Sequence, residues 1–379
     1  MPNIITHTLF AQEIFDKVDE NTHDLFEPRL HLLEIGSNGP DFLFFHGMNP
    51  KDFFKKSDLR VSGSMFHAGH VNEFYQKALI SIRNESDEEI KKDMMTYVCG
   101  HLCHWALDAT SHPYVFYRTG TCKGKSAWYH HRFESLIDAI MLKVKKECTI
   151  EDFKFYEISD ASKEEARAIA RIYVPAIRQI LGFEIKPHQI MESLKDWHFI
   201  ESLFYDASGD KLKALQTLET FTKAYNSLSG YIVPNEPDDP YDVMNLLHTR
   251  WVHPSDDTLV STESFFDLYD KAQLLAMEAI RLFLAACENP DFDEDAFGVG
   301  KVKRSKGRIA LPAENILFLL RPNGRTAIGL QRSRLGAKSG VTLHQIGKGL
   351  QANICSLHAN ICREWCENEV AGSGERASA

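Results

Sequence analysis

Two sets of histidines and carboxylates at helical spacing are the residues of this chain best suited to chemistry. His104, Asp108 and His112 follow one another at intervals of four residues, and His130 and Glu134 repeat that interval. Side chains at i and i+4 lie on one face of an α-helix, about one turn apart. Imidazole and carboxylate donors are typical of catalytic zinc sites. Two helices that carry such sets therefore predict a multi-zinc hydrolase.

Further candidate ligands lie nearer the start of the chain. Zinc at a catalytic site takes three protein ligands and a water, so several bridged ions need roughly eight donors. His7 stands near the start of a predicted first helix, and Asp41 closes a Gly-Pro turn before the aromatic run of residues 42–45. His67 opens another predicted helix, and His70 follows it one turn later. We favour His67 over His70 as a ligand.

Helical periodicity continues along most of the chain and predicts the elements that must position these residues. The predicted helices begin near Thr6 and continue over 67–82, 90–112, 128–144, 162–182, 187–208, 210–226 and 262–288. The third of them is expected to end at His112, because a proline disfavours helix at the residue before it. No convincing run of alternating strand residues occurs. The fold class predicted is all-α, an irregular multi-helix bundle.

Charge separates the chain into two parts. Residues 301–379 carry 13 Lys and Arg against 5 Asp and Glu, although the whole chain has a formal net charge of −10. The remainder is therefore strongly acidic, which argues against stable nucleic-acid binding there. We expect a domain over 1–298 and a basic, poorly ordered tail over 299–379. No protein partner is indicated.

Targeting signals and disulfide patterns are not evident. No apolar run reaches the roughly 18 residues that a membrane span requires, and the first residues lack the basic segment of a secretory signal. The 8 cysteines form no scaffold pattern for a chain of this length, so reduced thiols are the simpler interpretation. We expect a cytoplasmic protein.

Five sequence blocks, taken together and in order, resemble the zinc-dependent phospholipase C family, which shares its fold with P1-type nucleases. The blocks that carry the resemblance are ITHTLFAQEIFD, GSNGPDFLFFH, SMFHAGHVNEF, GHLCHWALDATSHPY and HHRFESLID. A later segment over 251–272, WVHPSDDTLVSTESFFDLYDKA, is similar to bacterial members of the family. The resemblance covers about 1–298 and implies the all-α fold of that family.

The resemblance also implies up to three zinc ions. The implied ligands are Asp41, His67, His104 and Asp108 for the first ion, His112, His130 and Glu134 for the second, and His7 and Asp108 for the third. In the family the third ion is also held by the amine and carbonyl of a processed first residue. This chain begins with Met1 and Pro2, and we expect Met1 to be trimmed so that Pro2 takes that role.

The reaction implied is hydrolysis of a phosphodiester by metal-activated water. Asp41 is the candidate both to bind metal and to orient or deprotonate the water. Asp138 is expected to fix the orientation of a ligand imidazole. His101 is expected to line the site, and His131 is expected to point away from Glu134. A phospholipid or another phosphodiester is the expected substrate, with transient contact to a membrane surface. The alternatives are a P1-like single-strand nuclease and a non-catalytic, metal-stabilised helical binding module.

Overall fold

The computed structural model describes residues 4–49, 57–120, 122–237, 239 and 241–289. Helices dominate these ranges, and the prediction of an all-α fold is confirmed. The α-helices are α1 (Ile4–Phe15), α2 (Glu20–Phe26), α3 (Leu30–Gly36), α4 (Asp58–Ala68), α5 (Val71–Arg83), α6 (Glu88–Thr119), α7 (Lys125–Lys146), α8 (Lys163–Ala176), α9 (Pro187–Phe204), α10 (Asp210–Thr222) and α11 (Phe265–Glu288). The predicted tail over 299–379 and Pro2 lie outside the described residues.

Shorter helical turns connect several of these helices. Four are 3-10 helices, and a π-helical turn continues α8. The 3-10 helices are Glu27–Arg29, Asp41–Phe45, Phe155–Ser159 and Ser229–Tyr231, and the π-helical turn is Ile177–Leu181. Among the described residues, no helix is both long enough and apolar enough to span a bilayer.

A two-stranded hairpin departs from the expectation that the chain lacks strands. Strands β1 (Trp251–His253) and β2 (Asp256–Ser261) pair antiparallel, with an irregular register after the second pair of residues. Trp251 is buried, and its indole Nε1 donates a hydrogen bond to the carbonyl oxygen of Glu263 at 3.0 Å. Strand β1 has 3 residues and none of the residues of β2 is buried, so neither shows the alternation of apolar and polar residues that predicts a strand.

Helix α6 is the central element, with α1, α3, α7, α8 and α11 packed around it. It does not end at His112 as expected, but continues through Pro113 to Thr119. A proline inside a helix removes one backbone hydrogen bond and costs about 3 kcal/mol or more. Packing of the next turn offsets this cost: Tyr114 is fully buried and its hydroxyl donates to the carbonyl of Val243 at 2.8 Å.

Two glycines allow α3 and α6 to approach backbone to backbone. A Cβ at Gly36 would lie 2.3 Å from the carbonyl oxygen of Tyr97, and a Cβ at Gly100 would lie 2.3 Å from that of Leu33. Both distances are far below van der Waals contact, so neither position accepts a side chain without moving a helix. This crossing fixes the end of α3, and with it the turn that leads to Asp41, against the middle of α6.

The helical segment predicted over 162–182 is present as α8 followed by the π-helical turn Ile177–Leu181. Ser162 Oγ accepts a hydrogen bond from the Glu165 amide at 3.1 Å, and the Glu165 carboxylate accepts one from the Ser162 amide at 2.7 Å. This reciprocal capping box satisfies two amides that would otherwise lack partners. At the other end, Gly182 adopts a left-handed conformation with φ of +74°, as helix-terminating glycines commonly do.

The close approach of α3 and α6 generates the first prediction. Gly100→Ala should lower the free energy of unfolding by about 1–3 kcal/mol, because the methyl group meets backbone atoms that cannot rotate away. Urea denaturation followed by circular dichroism measures the change. The control is Gly63→Ala in α4, whose added Cβ meets side chains of Leu43 and Phe44 at 3.3 Å. If Gly100→Ala is no more destabilising than this control, the crossing does not constrain the fold.

Candidate metal centre

Three adjoining groups of metal-ligating side chains lie on one side of α6. In each group the ligand atoms are all within 4.8 Å of one another. The groups are His7, His104 and Asp108; Asp41, His67 and His104; and His112, His130 and Glu134. The eight candidate ligands are therefore brought together. His104, expected only beside Asp41, His67 and Asp108, also joins the group of His7 and Asp108.

Asp108 lies at the centre of the arrangement. Its Oδ1 is 3.2 Å from His7 Nε2 and 3.2 Å from His112 Nδ1, and its Oδ2 is 3.2 Å from His104 Nε2. Burial by itself raises the pKa of a carboxyl group, but His104 and His112 outweigh it and hold the pKa of Asp108 well below its usual range. The side chain is therefore a carboxylate, the form that binds metal ions.

Asp41 reaches the centre from the 3-10 helix Asp41–Phe45. Its Oδ1 is in close contact with His67 Nε2, and His67 Nδ1 lies 4.0 Å from Asp108 Oδ2. The ring of Phe44 stacks on that of His67 with centroids 5.6 Å apart. His70 instead lies 3.4 Å from Glu73. The preference for His67 over His70 agrees with this geometry.

The backbone of the turn before Asp41 lies against the ring of His104, a candidate ligand. Gly39 has φ of +55°, and a Cβ there would lie 2.3 Å from Cδ2 of His104. Its carbonyl oxygen accepts a hydrogen bond from the Tyr97 hydroxyl at 3.1 Å. Only glycine combines this left-handed conformation with such an approach. Gly39 therefore holds the His104 ring in place and sets the position of Asp41 two residues later.

The His112, His130 and Glu134 group joins α6 to α7. Glu134 Oε1 is 3.0 Å from His130 Nε2 and 3.4 Å from His112 Nε2. Thr119 Oγ1 lies 3.0 Å from His130 Nδ1 and fixes the orientation of that ring. Thr119 belongs to the last turn of α6, so this contact exists because the helix continues past Pro113.

Buried imidazole nitrogens without hydrogen bonds indicate that metal ions fit this centre. Within the part of the chain that the structure describes, neither ring nitrogen of His104 makes a hydrogen bond, although Nε2 lies 3.2 Å from Asp108 Oδ2. Nδ1 of His7 makes none either. Burial lowers the pKa of His104 to about 4, so its ring is neutral near pH 7, and only a neutral ring binds metal. Unsatisfied buried polar atoms are costly, and bound zinc would satisfy the nitrogens that face the shared space.

Asp138 contacts no imidazole among the described residues, which contradicts its expected role. Its carboxyl oxygens accept hydrogen bonds from the Ile5 amide at 3.3 Å, the Thr6 amide at 2.9 Å and the Thr6 hydroxyl at 2.5 Å. These are unpaired amides at the start of α1. Asp138 therefore fixes the start of the helix that carries His7, from one turn beyond Glu134 on α7.

His101 and His131 flank the ligands in different ways. His101 is buried, its Nδ1 lies 2.8 Å from the Tyr75 hydroxyl, and it belongs to none of the three groups. His131 does not point away from Glu134 as expected: its Nδ1 lies 3.9 Å from Glu134 Oε2, and its ring stacks on Tyr231 at 4.3 Å. His131 and Tyr231 therefore form an edge of the centre.

Glu201 is a buried carboxyl group that sequence reasoning did not single out. It is 6% exposed, and its Oε1 accepts a hydrogen bond from the Trp197 indole at 3.0 Å. Burial raises the pKa of Glu201 to about 7. Its helix, α9, contains none of the candidate ligands, so no spacing in the sequence relates Glu201 to the metal centre. The sequence signal is limited to a glutamate four residues after Trp197, at helical spacing.

Comparison with known proteins adds no assignment: no protein-family model, curated protein or solved structure matches this chain. Its chemistry must therefore be inferred from the arrangement of these side chains.

Zinc stoichiometry should distinguish ligands from neighbouring residues. Glu134→Gln should lower the zinc content of purified protein by about one ion per chain, because it removes the only carboxylate of its group. His131→Gln is the matched control, and it should retain the wild-type content because its ring stacks on Tyr231. Metal analysis after dialysis measures both variants. Equal zinc content in wild type and Glu134→Gln would contradict the assignment of this group.

Removal of Asp138 should destabilise α1. Asp138→Ala leaves buried amides without an acceptor, so the free energy of unfolding should fall by about 1–3 kcal/mol. Asp19→Ala is a control at the exposed start of α2, where Asp19 caps through the Thr22 amide, and it should cost about 1 kcal/mol or less. Denaturation of metal-free protein measures both. An effect of Asp138→Ala no larger than that of the control would show that this contact does not hold α1.

Proposed function

We propose that this chain is a zinc-dependent hydrolase of phosphate esters, a phosphodiesterase of the phospholipase C type. One observation carries the proposal: three donor groups adjoin one another around Asp108 and His104. Structural zinc sites are closed and generally hold one ion with four protein ligands. Adjoining groups of three ligands leave coordination positions for water and substrate, as metal-assisted hydrolysis requires. The ordered sequence blocks that resemble the phospholipase C family support the same class.

Up to three zinc ions would be held by the three groups. The donor set fits zinc because it contains imidazole nitrogens and carboxylate oxygens but no thiolate. When bound, zinc lowers the pKa of water and stabilises negative charge on phosphoryl oxygens. We retain the expectation that the amino group of Pro2 completes the group of His7 and Asp108.

Asp41 is proposed to orient the attacking water and accept its proton. Its carboxylate lies at the start of a short helix rather than within a long one, and its side chain is 13% exposed. Burial raises the pKa of this carboxyl group, but the neighbouring His67 outweighs it and holds the pKa of Asp41 below its usual range. An ionised carboxylate at the accessible edge of the centre can accept a hydrogen bond from water.

A phospholipid is the preferred substrate class, with transient contact at a membrane surface. Helix α10 exposes apolar side chains: Leu218 is 54% exposed and Phe221 is 82% exposed. Exposed apolar patches favour contact with lipid or protein surfaces. The formal net charge of −10 is unfavourable for the polyanionic substrate of a P1-like nuclease. A cytoplasmic location stays a prediction.

A substrate panel tests the proposal. Zinc-loaded protein should hydrolyse phosphatidylcholine, phosphatidylinositol or a bis-aryl phosphodiester, and should show little activity towards single-stranded DNA or RNA. Asp41→Asn should lower kcat by at least about 10²-fold, because general-base catalysis typically contributes that much. Release of phosphate monoester or nitrophenol measures turnover, and removal of zinc by a chelator should abolish it.

Three results would lead to other conclusions. Preferential cleavage of DNA or RNA would favour the P1-like nuclease. Zinc-replete protein that turns over none of the substrates would favour a metal-stabilised binding module. Equal turnover by wild type and by an Asp41→Asn variant with unchanged zinc content would remove Asp41 from its proposed role.

A further inference from the structure

Helix α9 presents one face along the metal centre. Ser193, Trp197, Glu201 and Phe204 are spaced by four, four and three residues, so they share one side of the helix. Ser193, Trp197 and Glu201 are buried. Glu201 lies between Ser193 and Phe204 on this face. It is therefore positioned between the groups that those two residues contact.

Each end of that face contacts a segment that belongs to the centre. At one end, Ser193 Oγ donates a hydrogen bond at 2.8 Å to the carbonyl oxygen of Phe42, the neighbour of a metal-ligand candidate. At the other end, the rings of Phe204 and Tyr231 are 5.4 Å apart, and Tyr231 stacks on His131. Helix α9 therefore forms a wall along the centre, and Glu201 lies within that wall.

The hydrogen bonding of Glu201 differs from that of the structural carboxylates nearby. Asp196, on the same helix, accepts hydrogen bonds from the Gly47 amide at 2.6 Å and from the Asn49 side chain at 3.0 Å. Glu219 uses both oxygens to accept several hydrogen bonds from residues 226–229. Glu201 has one hydrogen bond to a described residue, from the Trp197 indole to Oε1. Its Oε2 has none among the described residues.

We propose that Glu201 is the general acid that protonates the leaving oxygen of the phosphate ester. This inference rests on the proposed function. As the oxygen of water forms its bond to phosphorus, the bond between phosphorus and the leaving oxygen breaks. The proton on the Glu201 carboxyl group passes to that leaving oxygen and gives a neutral alcohol. Asp41 takes a proton from the water, and exchange with solvent returns both carboxyl groups to their initial states.

The chemistry of the leaving group favours such an acid. An alkoxide is a strong base, so its departure without a proton is slow, and a positioned acid typically accelerates this step by about 10²–10⁴-fold. The carboxyl group of Glu201 is suited to this, because burial raises its pKa to about 7 and the negative charge of Asp41 also favours its protonated form. The Trp197 indole fixes its orientation through Oε1.

Two substrates with different leaving groups test the proposal. With an alkyl phosphodiester such as a phospholipid, Glu201→Gln should lower kcat/KM by about 10²-fold or more. With a bis-nitrophenyl phosphodiester the same variant should lose less than about 10-fold, because nitrophenolate leaves without a proton. Glu192→Gln, at a 58% exposed side chain on the same helix, is the matched control and should behave as wild type with both substrates. Zinc content is measured for each protein.

The outcomes separate this inference from the proposed function. Equal losses on both substrates would show a structural role for Glu201 and would overturn the inference. Wild-type protein that hydrolyses neither substrate would overturn the proposed function itself. If Glu201→Gln does not fold, Glu201→Asp replaces it: the shorter carboxyl group should lower alkyl turnover selectively. An equal effect of Glu201→Asp on both substrates would also overturn the inference.

Discussion

The partly buried carboxylate of Asp108 makes the interactions on which the rest of the structure depends. A buried charge is tolerated when groups of opposite or induced charge surround it. His7, His104 and His112 each place a ring nitrogen 3.2 Å from one of its oxygens. These rings come from α1 and from two turns of α6. Histidines from distant parts of the chain therefore meet around the Asp108 carboxylate. Bound metal ions would neutralise the rest of its negative charge.

Close backbone packing places the other ligands around that carboxylate. Gly36 and Gly100 allow α3 to cross α6 in direct backbone contact, and Gly39 brings the following turn against His104. Asp138 binds the first amides of α1 and so sets the position of His7. None of these residues belongs to a ligand group, yet each determines where a ligand lies. A metal centre depends on such supporting contacts as much as on its ligands.

Carboxyl groups in this protein divide according to how completely they are hydrogen-bonded. Asp138 and Glu219 accept several hydrogen bonds each and fix local structure. Asp108 and Glu134 are surrounded by histidines and are suited to metal ions. Glu201 has neither environment, and it lies on a helix with contacts at both edges of the centre. The proposed division of chemistry follows from this difference: some carboxylates hold ions, and a separate carboxyl group carries a proton.

Local spacing in the sequence predicted most of the long helices and the candidate ligands of α6 and α7, whereas His7, Asp41 and His67 were named mainly from the family resemblance. The helix expected to open at His67 was misplaced, because His67 lies in the last turn of α4. An interval of four residues places His104, Asp108 and His112 on one face wherever the helix lies, because helical geometry is local. The end of α6 was mispredicted, since the cost of Pro113 is offset by tertiary packing of Tyr114 that no local rule contains. The same holds for Asp138: its spacing from Glu134 was visible, but only the packing of α1 on α7 decided that it would cap a helix. Side-chain types and intervals are properties of the sequence, whereas contacts between distant segments depend on how the whole core packs.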